Sequence, residues 1–126
     1  MILGIGIDIS RIERSEKFLE RYGERFTRRI LTPGEIEFCA HFVNKGERVA
    51  GFIAAKEAAS KALGTGWRQG VHWKCFEVSH ERSGKPTLLI HGRAAELAAQ
   101  MGVKSAHVSI THDAGVAAAV VIFEGE

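Results

Sequence analysis

The sequence predicts an α+β fold: a small antiparallel sheet packed with one long alanine-rich helix and several shorter helices. Three observations carry this. From Leu3 to Ser10, apolar residues alternate with small or polar ones, which is the period of a strand. Between Arg11 and Leu63 the apolar spacing lengthens to three to four residues, the period of helices. After Trp73, short runs rich in valine, isoleucine and leucine return between turn residues, with one helical stretch among them.

The chain has 126 residues, the length of one domain covering 1–126. Hydrophobic residues at 45% and charged residues at 25% are ordinary globular values and argue against disorder. A net charge of +2 is too mild for a nucleic-acid binder that works by bulk charge. No apolar run reaches the roughly 20 residues needed to span a bilayer. Met1 to Ile7 meets Asp8 without a basic leader, so no signal peptide is expected. Cys39 and Cys75 lack metal-type spacing and fit a reducing compartment. The expectation is a cytoplasmic protein with no membrane and no nucleic-acid partner.

Each element can be justified in turn. In the first strand, Leu3, Ile5, Ile7 and Ile9 share one side, expected to face the core. Gly4, Gly6, Asp8 and Ser10 share the other, where another group could approach closely. Helical spacing then runs through Ile12, Phe18 or Leu19, Tyr22, Phe26 and Ile30, with Gly23 as a break or bend. This stretch has a surplus of cations, with Arg14, Lys17 and Arg21 on one face; Arg25 and Arg28 extend it only on a straight axis. Pairs such as Glu13 with Lys17 fit a solvated helix, whereas the surplus fits a docking surface for something acidic.

Thr32-Pro33-Gly34-Glu35 forms a capping box and starts a short helix to about Phe42, with 44–46 as a loop. A long helix follows from Glu47 to Leu63, ending on Gly64-Thr65-Gly66. Its many alanines imply close packing. Glu57 and Lys61, four apart, share a face; such a pair is also common as mere surface charge. Beyond it come a strand from Trp73 to His80, a turn at 82–86, and a strand from Thr87 to His91. A helix from Gly92 to Met101 leads to a final strand pair, Ala106 to Thr111 and Val116 to Phe123, turning at Asp113-Ala114-Gly115.

Magnesium prefers one or two protein carboxylates and completes its shell with water and substrate phosphates. Asp8 at an open strand end and Glu57 among alanines could make such a pair. Lys61 would add a cation for a phosphate oxygen, and the glycines around Thr65 would offer backbone N–H groups. Spacing alone does not bring Asp8 and Glu57 together. Of six scattered histidines, His112 beside Asp113 is the best functional candidate. Nucleophile and nucleotide-loop motifs are absent, which speaks against a covalent enzyme intermediate.

Three segments resemble the small bacterial holo-acyl-carrier-protein synthases, which are 4′-phosphopantetheinyl transferases. They are Gly4-Ile5-Gly6-Ile7-Asp8-Ile9, Ala54 through Lys56-Glu57-Ala58 and Lys61 to Gly66, and Val108-Ser109-Ile110-Thr111-His112-Asp113. The resemblance implies transfer of 4′-phosphopantetheine from coenzyme A to a serine of apo-acyl carrier protein, releasing adenosine 3′,5′-bisphosphate. It implies magnesium, or manganese, on Asp8 and Glu57, and Lys61 on the transferring phosphoryl group. Glu57 or a metal-bound water would take the serine proton. Gly64, Thr65, Gly66 and His112 would then contact coenzyme A. Phe52 stands where some members have an arginine, so Arg48 and Lys45 become the candidates for its 3′-phosphate. Arg14, Lys17, Arg21, Arg25 and Arg28 would dock the acidic carrier, and a homotrimer with active sites between subunits is expected. Two other functions compete: a non-catalytic module for an acidic partner, and a pantetheinyl transferase for peptide or polyketide synthase carrier domains.

Overall fold

The computed structural model describes residues 1–126. In chain order it contains β1 (Ile2–Arg11), α1 (Ile12–Tyr22), α2 (Glu24–Ile30), α3 (Pro33–Ala40) and α4 (Lys45–Leu63). A single 3-10 turn (Trp73–Cys75) leads into β2 (Phe76–His80) and β3 (Pro86–Ile90), followed by α5 (Gly92–Met101), β4 (Ser105–Asp113) and β5 (Val116–Glu124). The strands form two antiparallel sheets, one ordered β1-β5-β4 and the other β2-β3. This is the expected α+β class, with the expected sheet divided in two.

The core lies between the three-stranded sheet and α4. Val121 and Phe123 of β5 are fully buried there, beside Ala54, Ala55, Ala58 and Ala59, and Phe76 at the start of β2 is equally buried. The glycine side of β1, not its isoleucine side, faces α4. A Cβ on Gly6 would sit 1.9 Å from the Ala58 carbonyl oxygen, and one on Gly4 would sit 2.2 Å from that of Ala62. Only glycine allows the helix backbone this close to the strand. The price of that approach is an outward row of aliphatics: Ile5, Ile7 and Ile9 are 63%, 66% and 65% exposed. The expectation that these isoleucines face the core is therefore corrected. They run beside Ile122, Val120 and Ala118 of β5.

Gly23, at φ +54°, ends α1 and starts α2, so Arg25 and Arg28 do not continue the α1 face on a straight axis. Within α1 the inward positions are Ser15, which is buried, and the half-buried Leu19, whereas Phe18 and Tyr22 are exposed. The capping box on α3 forms as expected: Thr32 accepts from the Glu35 N–H, and Glu35 accepts from the Thr32 N–H. That helix stops at Ala40, two residues early. α4 begins at Lys45, so the expected loop at 44–46 shrinks to Asn44 at the helix start. No helix is long and apolar enough to cross a membrane.

Candidate active site

Residues on an α-helix project about 100° apart, so Lys56 and Glu57 leave α4 in different directions. Lys56 is fully buried, whereas Glu57 reaches a cleft of about 1140 Å3 between β1, α1 and α4. Asp8, Glu57, Lys61, Arg14, Lys17 and Phe18 all line this cleft. Two acidic residues 49 positions apart thus line one cleft, beside the glycine–alanine contact between β1 and α4. Lys61 Nζ lies 2.9 Å from Asp8 Oδ1 and 3.1 Å from the Ile7 carbonyl oxygen. Asp8 therefore already carries a cation. The donor set suits a hard divalent ion: two carboxylates facing a wide, wet space, with room for waters and substrate oxygens. The structure holds no group of three or more metal-type side chains, so such an ion would take the rest of its shell from outside the chain.

His112 and Arg48 lie elsewhere. They line a separate cavity of about 140 Å3 with Glu47, Phe38, Phe52 and His80. On α4, Arg48 and Phe52 project from the side opposite Glu57, because nine residues separate Arg48 from Glu57, two and a half turns. His112 Nδ1 pairs with Glu47. The Arg48 guanidinium lies 4.1 Å over the Phe42 ring, and its buried Nε has no hydrogen-bond partner. His80 stacks on Phe38 at 4.0 Å with the rings 4° from parallel. Burial first, and then the nearby Arg48 charge, hold His80 below its ordinary value of 6.5, so it is a neutral ring at neutral pH. This cavity combines flat aromatic surface with unspent cationic donors. The sequence offered no signal for Phe38 or His80, since both read as ordinary helix and strand residues.

The remaining candidates are dispersed. Lys45 borders a different groove, with Leu19, Cys39 and Val49, and does not join Arg48. Gly64 closes α4 at φ +86°, and the Thr65 hydroxyl donates to the Gly66 carbonyl within the following turn. Arg21 lies over the Tyr22 ring, Arg28 pairs with Glu24, and Arg25 flanks an apolar groove formed by Phe18, Tyr22 and Phe26. The aromatic part of this surface was missed because helical spacing alone reads such residues as core.

Cleft, fold and helix cap together define a class. A family model described as the 4′-phosphopantetheinyl transferase superfamily matches residues 4–121, and the chain belongs to that family. Within it, the chain is 52% identical over 124 residues to the holo-[acyl-carrier-protein] synthase of Solibacter usitatus (strain Ellin6076), covering 98% of this chain and 99% of that one. It is also similar to two solved structures. Helicobacter pylori holo-[acyl-carrier-protein] synthase, in complex with coenzyme A, gives a TM-score of 0.84 at 37% identity, covering 95% of this chain and 99% of that one. The Neisseria meningitidis enzyme gives 0.88 at 32% identity, with 98% and 99% covered.

Proposed function

We propose that this chain transfers 4′-phosphopantetheine from coenzyme A to a serine hydroxyl of an apo-acyl carrier protein, in the cytoplasm. The observation that carries this reading is the convergence of Asp8, Glu57 and Lys61 on one cleft bordered by the basic face of α1. Asp8 and Glu57 are the side chains that would hold magnesium, with manganese as a substitute. When bound there, the ion supplies Lewis-acid stabilisation of the pyrophosphate oxygens. Lys61, more than half exposed at its side chain, is free to turn from Asp8 toward a phosphoryl oxygen and to stabilise its growing charge. The serine oxygen forms a bond to the transferring phosphorus, the diphosphate P–O bond breaks, and adenosine 3′,5′-bisphosphate departs. The hydroxyl proton leaves toward the acidic wall of the cleft.

The acidic carrier docks on Arg14, Lys17 and Arg21, with Arg25 and the exposed Phe18 and Tyr22 extending the surface. Complementary charge at such a surface chiefly speeds and orients encounter. Arg48, His112 and the Phe38–His80 stack suit the 3′-phosphate and the adenine ring. Their place on the opposite side of α4 fits an active site assembled from two chains, the reactive cleft of one meeting the nucleotide cavity of the next. The uncovered row of Ile5, Ile7 and Ile9 supports association of copies of this chain, and the family resemblance makes that assembly a homotrimer.

Mass spectrometry of apo-carrier protein incubated with coenzyme A and magnesium tests the transfer. The carrier should gain one phosphopantetheinyl group with the native chain and essentially none with Asp8→Asn or Glu57→Gln. Binding of carrier without any mass gain would overturn the reading. Mixing inactive Asp8→Asn and inactive His112→Ala chains should restore part of the activity if each site spans two chains. No recovery in mixed oligomers would overturn the shared site.

A further inference from the structure

The seam between α4 and β1 is built from Ala58 and Ala62 against Gly6 and Gly4, which present smooth surfaces without interlocking side chains. Rotation of α4 is held by its larger buried side chains, Val49, Phe52 and Leu63, by Lys61 on the Ile7 carbonyl, and by one buried polar anchor directly beside Glu57. Lys56, the residue before it, has its ammonium sealed from solvent and bonded three times. Nζ lies 2.7 Å from Glu35 Oε1, 2.6 Å from the Phe76 carbonyl oxygen and 3.1 Å from that of Trp73. Glu35 is equally sealed and equally saturated: it also accepts from the Thr32 N–H at 2.9 Å and the Val78 N–H at 2.8 Å.

We infer that the buried Lys56–Glu35 pair is a positioning device for Glu57, locking the rotation of α4 so that this carboxylate meets Asp8 in the cleft. An ammonium has three donors, and here each goes to a different anchor: α3, the 3-10 turn and the first residue of β2. Any turn of α4 that moved Glu57 out of the cleft would pull Lys56 off at least one of them. Lys56 makes no bond to Glu57; it acts through the helix backbone the two residues share. The inference rests on Glu57 working in the cleft, as proposed above.

The test replaces both partners at once, because a buried ion pair exchanged for apolar groups of similar volume usually leaves a folded protein. In the Glu35→Leu/Lys56→Met chain, circular dichroism should remain native-like, while the melting temperature falls because the Thr32 and Val78 N–H groups and the Trp73 and Phe76 carbonyls lose their partners. Turnover and manganese affinity, the latter read by electron paramagnetic resonance, should each fall about tenfold. The Michaelis constant for the carrier should hold, since α1 is untouched. A folded double variant with native turnover and native manganese affinity would overturn the inference. Should that chain not fold, Glu35→Gln gives the same reading: it keeps an acceptor for Thr32 and weakens the grip on Lys56. Glu57→Gln is the control. If it turns over normally, the role of Glu57 itself is wrong; if it fails while the double variant works, only the positioning role is wrong.

Discussion

One helix carries two lysine–carboxylate pairs five residues apart, and they live in opposite surroundings. Lys56 and Glu35 are both 0% exposed, whereas the side chains of Lys61 and Asp8 are 52% and 20% exposed. The sealed pair has every donor spent on fixed protein atoms. The open pair is loosely held, with water at hand and room to change partners. The same chemistry therefore serves architecture in one place and reactivity in the other, and solvent access makes the difference.

Breaking one member of each pair should widen that contrast. Lys56→Met alone leaves Glu35 charged and unpaired in the core, a loss of about 3–5 kcal/mol in urea unfolding. Lys61→Met should change stability by less than about 1 kcal/mol, yet slow transfer by about a hundredfold or more, the scale of removing one transition-state donor. Equal stability losses would erase the distinction drawn between the pairs.

The next largest effect joins the two regions through their spacing. Gly6→Ala puts a methyl group 1.9 Å from the Ala58 carbonyl oxygen. Strand and helix must then part, at a cost of about 1–3 kcal/mol for overpacking, and Asp8 shifts away from Glu57. Calorimetric melting and the transfer assay should both fall; a native melting point would contradict the observed contact.

On the open side, Arg14→Glu with Arg21→Glu should raise the Michaelis constant for the acidic carrier far more than that for coenzyme A. Added salt should shrink the gap between variant and native chain. The smallest effect lies at the rim of the sealed pair. Burial raises the pKa of Glu77, but hydrogen bonds from Thr32 and His91 outweigh it, leaving the carboxyl below its ordinary value of 4.5. Its contribution is complete above that value and disappears as pH falls through the lower folded-state pKa. Glu77→Gln should flatten the melting-temperature profile below pH 4.5 and lower the melting temperature slightly at neutral pH, where the carboxylate's contribution is complete.

The sequence disclosed some of this and hid the rest for physical reasons. Period and punctuation marked the strands and helices, down to the Thr32 cap and the Gly23 break. The face of β1 was misread because hydrophobicity usually points inward; here the need for backbone contact gives the inner side to Gly4 and Gly6 and leaves the isoleucines outside. The buried Lys56–Glu35 pair was invisible because charged residues read as surface, and nothing in sequence reveals that three acceptors surround one lysine. Asp8 and Glu57 were legible as candidates by resemblance to a family, and their place on one cleft became visible only with the packing of strand against helix.

The most direct check is an anomalous difference map from crystals of this chain grown with coenzyme A and manganese. A peak bridging the Asp8 and Glu57 carboxylates, with Lys61 turned toward the diphosphate, is the predicted result. A manganese peak elsewhere, with those two carboxylates bound to nothing but water, would contradict the account.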